Sequence, residues 1–218
     1  CDACDHGFLV SEVDRDDRAY YAEEYRAEYS HQAVGSSTDA RELFEVYERF
    51  QGDRLALMAD HLVPTARLLE VGASAGQFLH HARSRVASVS AIELDVDCCS
   101  FMAEELGIPA ESSLLAESSF ADGGYDVVCA FQVMEHVSEP VGFLEDLRAA
   151  TAAGGTVFVE VPNLHDPLLT VWDVRGYHDF YYHGAHLHYF SATSLLKVAA
   201  DAGFAPEDLE LHFLQDYN

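Results

Sequence analysis

Basic charge is what this chain has least of. Lys197 is its only lysine, and 12 Lys and Arg residues stand against 38 Asp and Glu, for a formal net charge of −26. A surface of that sign repels phosphate backbones and anionic headgroups, because binding to them depends on Lys and Arg displacing counterions. Nucleic acid and membrane are therefore not expected partners. Two readings of the acidity stay open: attraction of a cationic partner, or a surface that stays hydrated in concentrated salt. Net charge speaks to solubility and association more than to chemistry. That favours the second reading and, with it, a halophilic host.

Long apolar runs are missing as well. The chain is 49% hydrophobic, yet no stretch approaches the roughly 18 consecutive apolar residues of a spanning helix. No basic segment followed by an apolar one opens the sequence. Position 1 is Cys rather than Met, which fits a chain trimmed or processed upstream. The five cysteines are odd in number, with Cys98 and Cys99 adjacent, and do not read as a disulfide framework, so a reducing cytoplasm is the expected compartment.

The 218 residues suit one domain with a modest extension. Residues 1–61 read as an N-terminal segment and helical cap. Tyr20, Tyr21, Tyr25 and Tyr29 mark one face of a helix or turn. Thr38 reads as an N-cap with Glu42 behind it, opening a helix whose stripe is Leu43, Val46, Phe50, Leu55, Leu57 and Leu62. Residues 62–218 read as the main domain. Strands are expected at 67–71, 87–92, 125–130 and 156–161, with helices at 75–83, 96–105 and 141–150. This alternation predicts an α/β fold with a doubly wound, mostly parallel, Rossmann-like sheet. A loop from Asn163 to Phe190 and a helix from Thr193 to Ala202, stopped by Gly203, complete the reading.

The chemistry begins where the first strand, ending Glu70-Val71, runs into Gly72-Ala73-Ser74-Ala75-Gly76. Small residues there let a ligand approach the backbone. Glu93, in Ile92-Glu93-Leu94-Asp95 at the next strand tip, lies about 20 residues on, where an acid hydrogen-bonds ribose hydroxyls. Turn and acid together indicate a nucleoside cofactor. Glu70 suits a ligand carrying an ammonium group and would repel a pyrophosphate over the same turn. The Gly-x-Gly-x-x-Gly spacing of dinucleotide sites is absent. S-adenosylmethionine is thus expected over NAD.

These residues resemble class I S-adenosylmethionine-dependent methyltransferases. Glu70-Val-Gly72-Ala-Ser-Ala-Gly76 is similar to their first motif, Glu93 to their ribose ligand, and Tyr125-Asp126-Val-Val-Cys-Ala-Phe131-Gln132-Val-Met-Glu135-His136-Val to their fourth-strand motif. The resemblance covers about residues 67–204. Within the class, the chain is most similar to the branch that includes sugar C-methyltransferases. It implies a cofactor site of Glu70, Gly72, Ala73, Ser74, Gly76, Glu93, Leu94, Phe131 and Gln132, the last two flanking the methionine part. Cys1-Asp-Ala-Cys4 resembles one of the branch's paired Cys-x-x-Cys knuckles, half of a structural zinc site, with His6 a candidate third ligand. Where such enzymes often place an adenine-binding Asp, residues 112–119 show no equivalent.

Methyl transfer is an in-line displacement, and a base is needed only if the acceptor carries a proton. His136 and His186 are the candidate catalytic bases. The alternative for both is a packing role. The branch's Tyr-x-Glu-His run reads His183-Gly-Ala185-His186 here, a departure that counts against sugar C-methylation. His183, His186 and His188 could suggest a metal, but no carboxylate or cysteine partner stands at a recognisable spacing, and the metal content stays open. Tyr25 and Tyr29 are candidates for a lid over the cofactor, or for packing the cap. Two other classes remain as alternatives: a serine hydrolase, because Gly72-x-Ser74-x-Gly76 also fits a nucleophile elbow, and a nucleoside-binding protein without turnover. The expected partner is a small-molecule acceptor. The sequence leaves the acceptor atom and the oligomeric state undefined.

Overall fold

A computed structural model describes residues 4–10 and 39–214 of the chain. By their contacts the described residues form two compact units, one built from 4–10, 132–145 and 160–214, the other from 39–131 and 146–159. Neither unit begins at residue 62. Tyr20, Tyr21, Tyr25, Tyr29, Thr38 and Cys1 lie outside the described residues.

The larger unit carries the sheet. Its strands are β2 (Arg67–Val71), β3 (Ser88–Ile92), β4 (Ala110–Glu111), β5 (Tyr125–Phe131) and β6 (Thr151–Glu160), in the order β4-β3-β2-β5-β6. Arg67 to Val71 pair in parallel with Ser88 to Ile92, and Leu68 to Glu70 with Val127 to Cys129. The order reverses between β2 and β5, which is the topological switch point of a doubly wound sheet. The expected fold class is the one observed. Leu68, Leu69, Val127, Val128 and Cys129 are all buried, as strands covered on both faces require. Leu68, Phe78, Leu79, Met102 and Val127 belong to the main apolar cluster, which also takes in Met58 and Leu62.

The cap is two short helices. α1 (Ala40–Tyr47) starts at Asp39, whose side chain accepts from the backbone N–H of Arg41 (2.8 Å) and Glu42 (3.2 Å). The carboxylate takes the role expected of Thr38, one residue later. A 3₁₀ turn at Glu48–Phe50 then separates α1 from α2 (Gly52–Leu57). The helical stripe expected as continuous is therefore broken. Ala40, Leu43 and Phe44 pack with Ala75, Cys98 and Phe101, so the cap joins the sheet unit through helix-facing apolar contacts.

Elements α3 (Gln77–Ala82), α4 (Val96–Phe101) and α5 (Pro140–Ala150) follow in chain order. α4 continues as one π-turn over Met102–Leu106 and stops at Gly107 (φ 65°). β6 begins five residues earlier than expected and takes in Gly154, whose φ of 80° bends the chain within it.

In the smaller unit, β1 (Gly7–Phe8) pairs antiparallel with β7 (His188–Tyr189). The segment read as a loop from 163 to 190 holds two helices, α6 (Pro167–Thr170), capped by Asp166, and α7 (Arg175–Tyr181). α8 (Ala192–Asp201) opens on a capping box between Ser191 and Ser194. Leu169, Tyr181 and Tyr189 form this unit's apolar centre. Among the described residues, no helix is long and apolar enough to cross a membrane.

Gly76 gives a stability test. Its φ is +82°, and a Cβ there would meet Met102 Cγ at 2.8 Å and Sδ at 2.9 Å. Gly76→Ala is expected to destabilise by about 1–3 kcal/mol in urea unfolding. Gly142→Ala, whose Cβ would meet only Glu139 Cβ at 4.0 Å, is expected to be neutral or stabilising by up to ~1 kcal/mol.

Cys98, Cys99 and Cys129 are buried free thiols. Burial, with Glu93 and Asp95 beside it, pushes the Cys99 thiol up to about 12. A raised pKa of this kind stabilises the fold below the thiol's unfolded value, and that contribution is lost as pH rises through the folded one. Cys99→Ala should therefore flatten the loss of stability between about pH 9 and 12, and iodoacetamide at pH 8 should spare Cys99 in the native protein and modify it in urea.

Candidate functional site

The carboxyl ends of β2 and β3 are tied together before any ligand is considered. Gly72 N–H and Ala73 N–H both donate to Ile92 O, at 2.8 and 3.1 Å. One residue on, Glu93 accepts from Ser74 N–H at 2.7 Å through Oε2 and from Asp95 N–H at 3.0 Å through Oε1. Asp95 in turn caps α4 by accepting from Cys98 N–H at 2.9 Å. The turn threads positive φ at Gly72 (78°), Ser74 (50°) and Gly76 (82°). Ser74 is the strained member, since only glycine adopts such angles without cost. Leu94 O accepts from Ser112 Oγ at 2.9 Å, which fastens the strand tip to the segment after β4.

Glu70 lies at the carboxyl end of β2, opposite Ala91 and Cys129 in the ladders. It is only 4% exposed, and after burial itself it is the next contribution that pushes the Cys129 thiol up. Phe131, at the end of β5, stands edge-on to Phe78 with centroids 5.0 Å apart. Above it lies Arg54 of α2, its guanidinium carbon 4.5 Å from the ring centroid. Arg54 was not among the expected site residues. It belongs to the cap in sequence, and no spacing connects it to β5.

A bidentate carboxylate offers about four acceptor positions. Backbone donors occupy two at Glu93 and leave two for a pair of ribose hydroxyls. With Glu70 for an ammonium group and a positive-φ turn between them, the donor set fits the nucleoside and amino-acid parts of S-adenosylmethionine. Glu70, Gly72, Ala73, Ser74, Gly76, Glu93, Leu94 and Phe131 thus all fall in the sheet unit.

Gln132, His136 and His186 belong to the other unit. Gln132 has φ 57°; its backbone N–H donates to Glu160 O at 2.8 Å and its side-chain amide to Glu160 Oε1 at 2.9 Å. The next four residues lead into a 3₁₀ turn, Met134–His136. There His136 and His186 are each 8% exposed and Glu135 1%. The two imidazoles stand edge-to-face with centroids 4.8 Å apart. His136 Nδ1 donates to Ala185 O and His186 Nδ1 to Tyr181 O, both at 3.0 Å. Burial, then the neighbouring His136 and His183, hold His186 down to about 3. It is neutral near pH 7 and a weak proton acceptor. Burial pushes Glu135 up to about 8, with Glu160 adding to the rise.

The histidine grouping differs from the sequence pattern. His188 Nδ1 lies 3.0 Å from His6 Nε2, whereas among the described residues the grouping that could hold a metal is Glu135, His136 and His186. Glu135 was quoted only as part of a motif. Its signal was a charged residue inside an apolar stretch directly before a histidine. Cys4 is a free, partly buried thiol.

The sheet order, the glycine turn and the two strand-tip carboxylates define a class I methyltransferase fold. Residues 37–209 match the family described as a methyltransferase domain, and the chain belongs to that family. It is similar to a ubiquinone biosynthesis O-methyltransferase of Parvibaculum lavamentivorans, 23% identical over 158 residues, and spans about 60% of that relative's length and 66% of its own. In fold it is similar to magnesium protoporphyrin IX methyltransferase of Synechocystis with bound S-adenosylhomocysteine (TM-score 0.58, 15% identity, covering 86% of this chain and 88% of that one). The S-adenosylhomocysteine complex of DhpI is a further likeness, with TM-score 0.53 and 18% identity over 86% of this chain and 83% of that one. Family membership overturns the serine hydrolase alternative. Ser74's backbone N–H goes to Glu93, and among the described residues no histidine hydrogen-bonds its hydroxyl.

Glu93 holds the turn and keeps capacity for two further donors, so its loss should register twice. Glu93→Ala is expected to weaken S-adenosylmethionine binding about 10-fold or more in calorimetric titration, since hydrogen bonds to charged groups contribute about 1.5–3 kcal/mol. Because Ser74 and Asp95 N–H lose their acceptor, the same variant should lose about 1–2 kcal/mol in urea unfolding.

Proposed function

We propose that this domain transfers the methyl group of S-adenosylmethionine to a small-molecule acceptor. The observation that carries this is Glu93 held bidentate beneath the Gly72–Gly76 turn, with capacity left for a ribose. In the proposal Glu70, Gly72, Ala73, Ser74, Gly76, Glu93, Leu94, Phe131 and Gln132 hold the donor. Bound S-adenosylmethionine supplies an electrophilic methyl on a sulfonium. His136 and His186, with Glu135, serve the acceptor's proton.

A small molecule is favoured as acceptor because a net charge of −26 opposes nucleic acid. The Parvibaculum relative is an O-methyltransferase, which makes oxygen the first acceptor atom to test. The same charge supports a setting at high salt, and the free thiols of Cys98, Cys99 and Cys129 support a reducing cytoplasm.

The test is parallel titration, in high salt, with S-adenosylmethionine, S-adenosylhomocysteine and NADH, followed by labelled-methyl transfer to a panel of hydroxylated small molecules. Both sulfur nucleosides should bind and NADH should not. His136→Ala and His186→Ala should each lower turnover at least 100-fold, within the usual range for proton-handling groups, and leave S-adenosylmethionine affinity within about twofold. Donor binding without transfer to any acceptor would identify a binding protein that lacks turnover. Tight NADH binding alone would overturn the proposal.

A further inference from the structure

We propose that Glu135, His136 and His186 form a binding site for one divalent first-row transition-metal ion. One ligand atom from each residue lies within 4.8 Å of the others. Glu135 Oε1 and His136 Nε2 are 3.7 Å apart. Ligand atoms around a tetrahedral zinc at about 2.0–2.2 Å stand roughly 3.4 Å from one another, so closing on an ion takes side-chain movement on the order of 1 Å.

Three further observations point to a ligand. Both oxygens of Glu135 are buried without a hydrogen-bond partner, although its side chain is 1% exposed. A buried carboxylate in that state is costly unless a cation or a donor satisfies it. The Tyr181 hydroxyl is buried and also lacks a hydrogen-bond partner, and Glu135 is among the groups acting on it. Finally, the two imidazoles are oriented as ligands are. Each uses Nδ1 toward a backbone carbonyl, which can only accept. That fixes the proton on Nδ1 and gives Nε2 the lone pair, the arrangement that positions metal-bound histidine.

Two imidazoles and one carboxylate suit zinc, manganese or iron better than magnesium or calcium, which prefer all-oxygen sets. Three protein ligands also leave a coordination position open, as in catalytic and unlike closed structural sites. An open position on such an ion takes an oxygen donor. Resting on the methyl-transfer reading above, the acceptor class this implies is a hydroxyl compound whose proton the ion makes easier to lose.

The full chain, stripped with EDTA in high-salt buffer, would be titrated calorimetrically with Zn²⁺, Mn²⁺ and Mg²⁺ in separate arms. The expected result is one Zn²⁺ or Mn²⁺ per chain and a higher melting temperature in its presence. Glu135→Gln and His186→Asn should each weaken that binding at least 10-fold, while Cys4→Ser and His188→Asn leave it unchanged. Two substitutions of different chemistry guard against one failing to fold, and the wild-type stoichiometry is read independently of both. No stoichiometric binding by the wild-type chain, binding untouched by Glu135→Gln and His186→Asn, or a preference for Mg²⁺ would overturn the proposal. S-adenosylmethionine affinity, measured on the same samples, separates the two readings. Metal bound without donor would sink the methyl-transfer reading and leave the metal site standing; donor bound without metal would do the reverse.

Discussion

A single carboxylate holds the switch point together. Glu93 receives one N–H from the turn after β2 and one from its own strand tip, so the loop with three positive-φ residues is fixed to β3 by a charged acceptor. Without it Ser74 would keep its strained backbone and lose the bond that offsets the strain. The anion's remaining acceptor capacity follows from the same geometry. Stability of the turn therefore rests on one side chain, as does nucleoside recognition in the proposed function, and Asp95 extends the arrangement by capping α4.

Burial divides the carboxylates by task. Glu93 is partly exposed and accepts from two backbone donors, with acceptor capacity left over. Glu70 is interior, on the most buried strand of the sheet. Glu135, in the other unit, is interior and has neither oxygen hydrogen-bonded. The low dielectric that raises Glu135 also holds His186 neutral, since burial disfavours the charged form of acid and base alike. A neutral imidazole with its Nδ1–H committed to a carbonyl keeps one lone pair, at Nε2, for a proton or a metal ion.

The sheet was legible in the sequence because its strands are short apolar runs bounded by Gly, Pro and Asp, and because the turn, Glu70 and Glu93 occupy fixed offsets along the chain. Strand β2 was read to the residue, and β3 and β5 to within one. Two-residue strands such as β1, β4 and β7 carry too little pattern to be seen. The start of β6 was hidden because Gly154 bends the chain inside it, at the place where a glycine pair reads as a turn. Helices α6 and α7 were masked by an aromatic composition without helical periodicity. Asp39 displaced Thr38 as the cap because both residues cap well and only the backbone decides between them. At the candidate site, Glu70, the turn and Glu93 are set by local motif, while Arg54 above Phe131 and the pairing of Glu135 with His186 depend on contacts distant in sequence, which no spacing records.

The most direct measurement of the central claim is a crystal structure of the chain with S-adenosylhomocysteine bound. The account predicts both ribose hydroxyls on Glu93, with its contacts to Ser74 and Asp95 N–H retained, and the amino group beside Glu70. A nucleoside bound elsewhere, or a Glu93 that leaves the turn and makes no ribose contact, would contradict it.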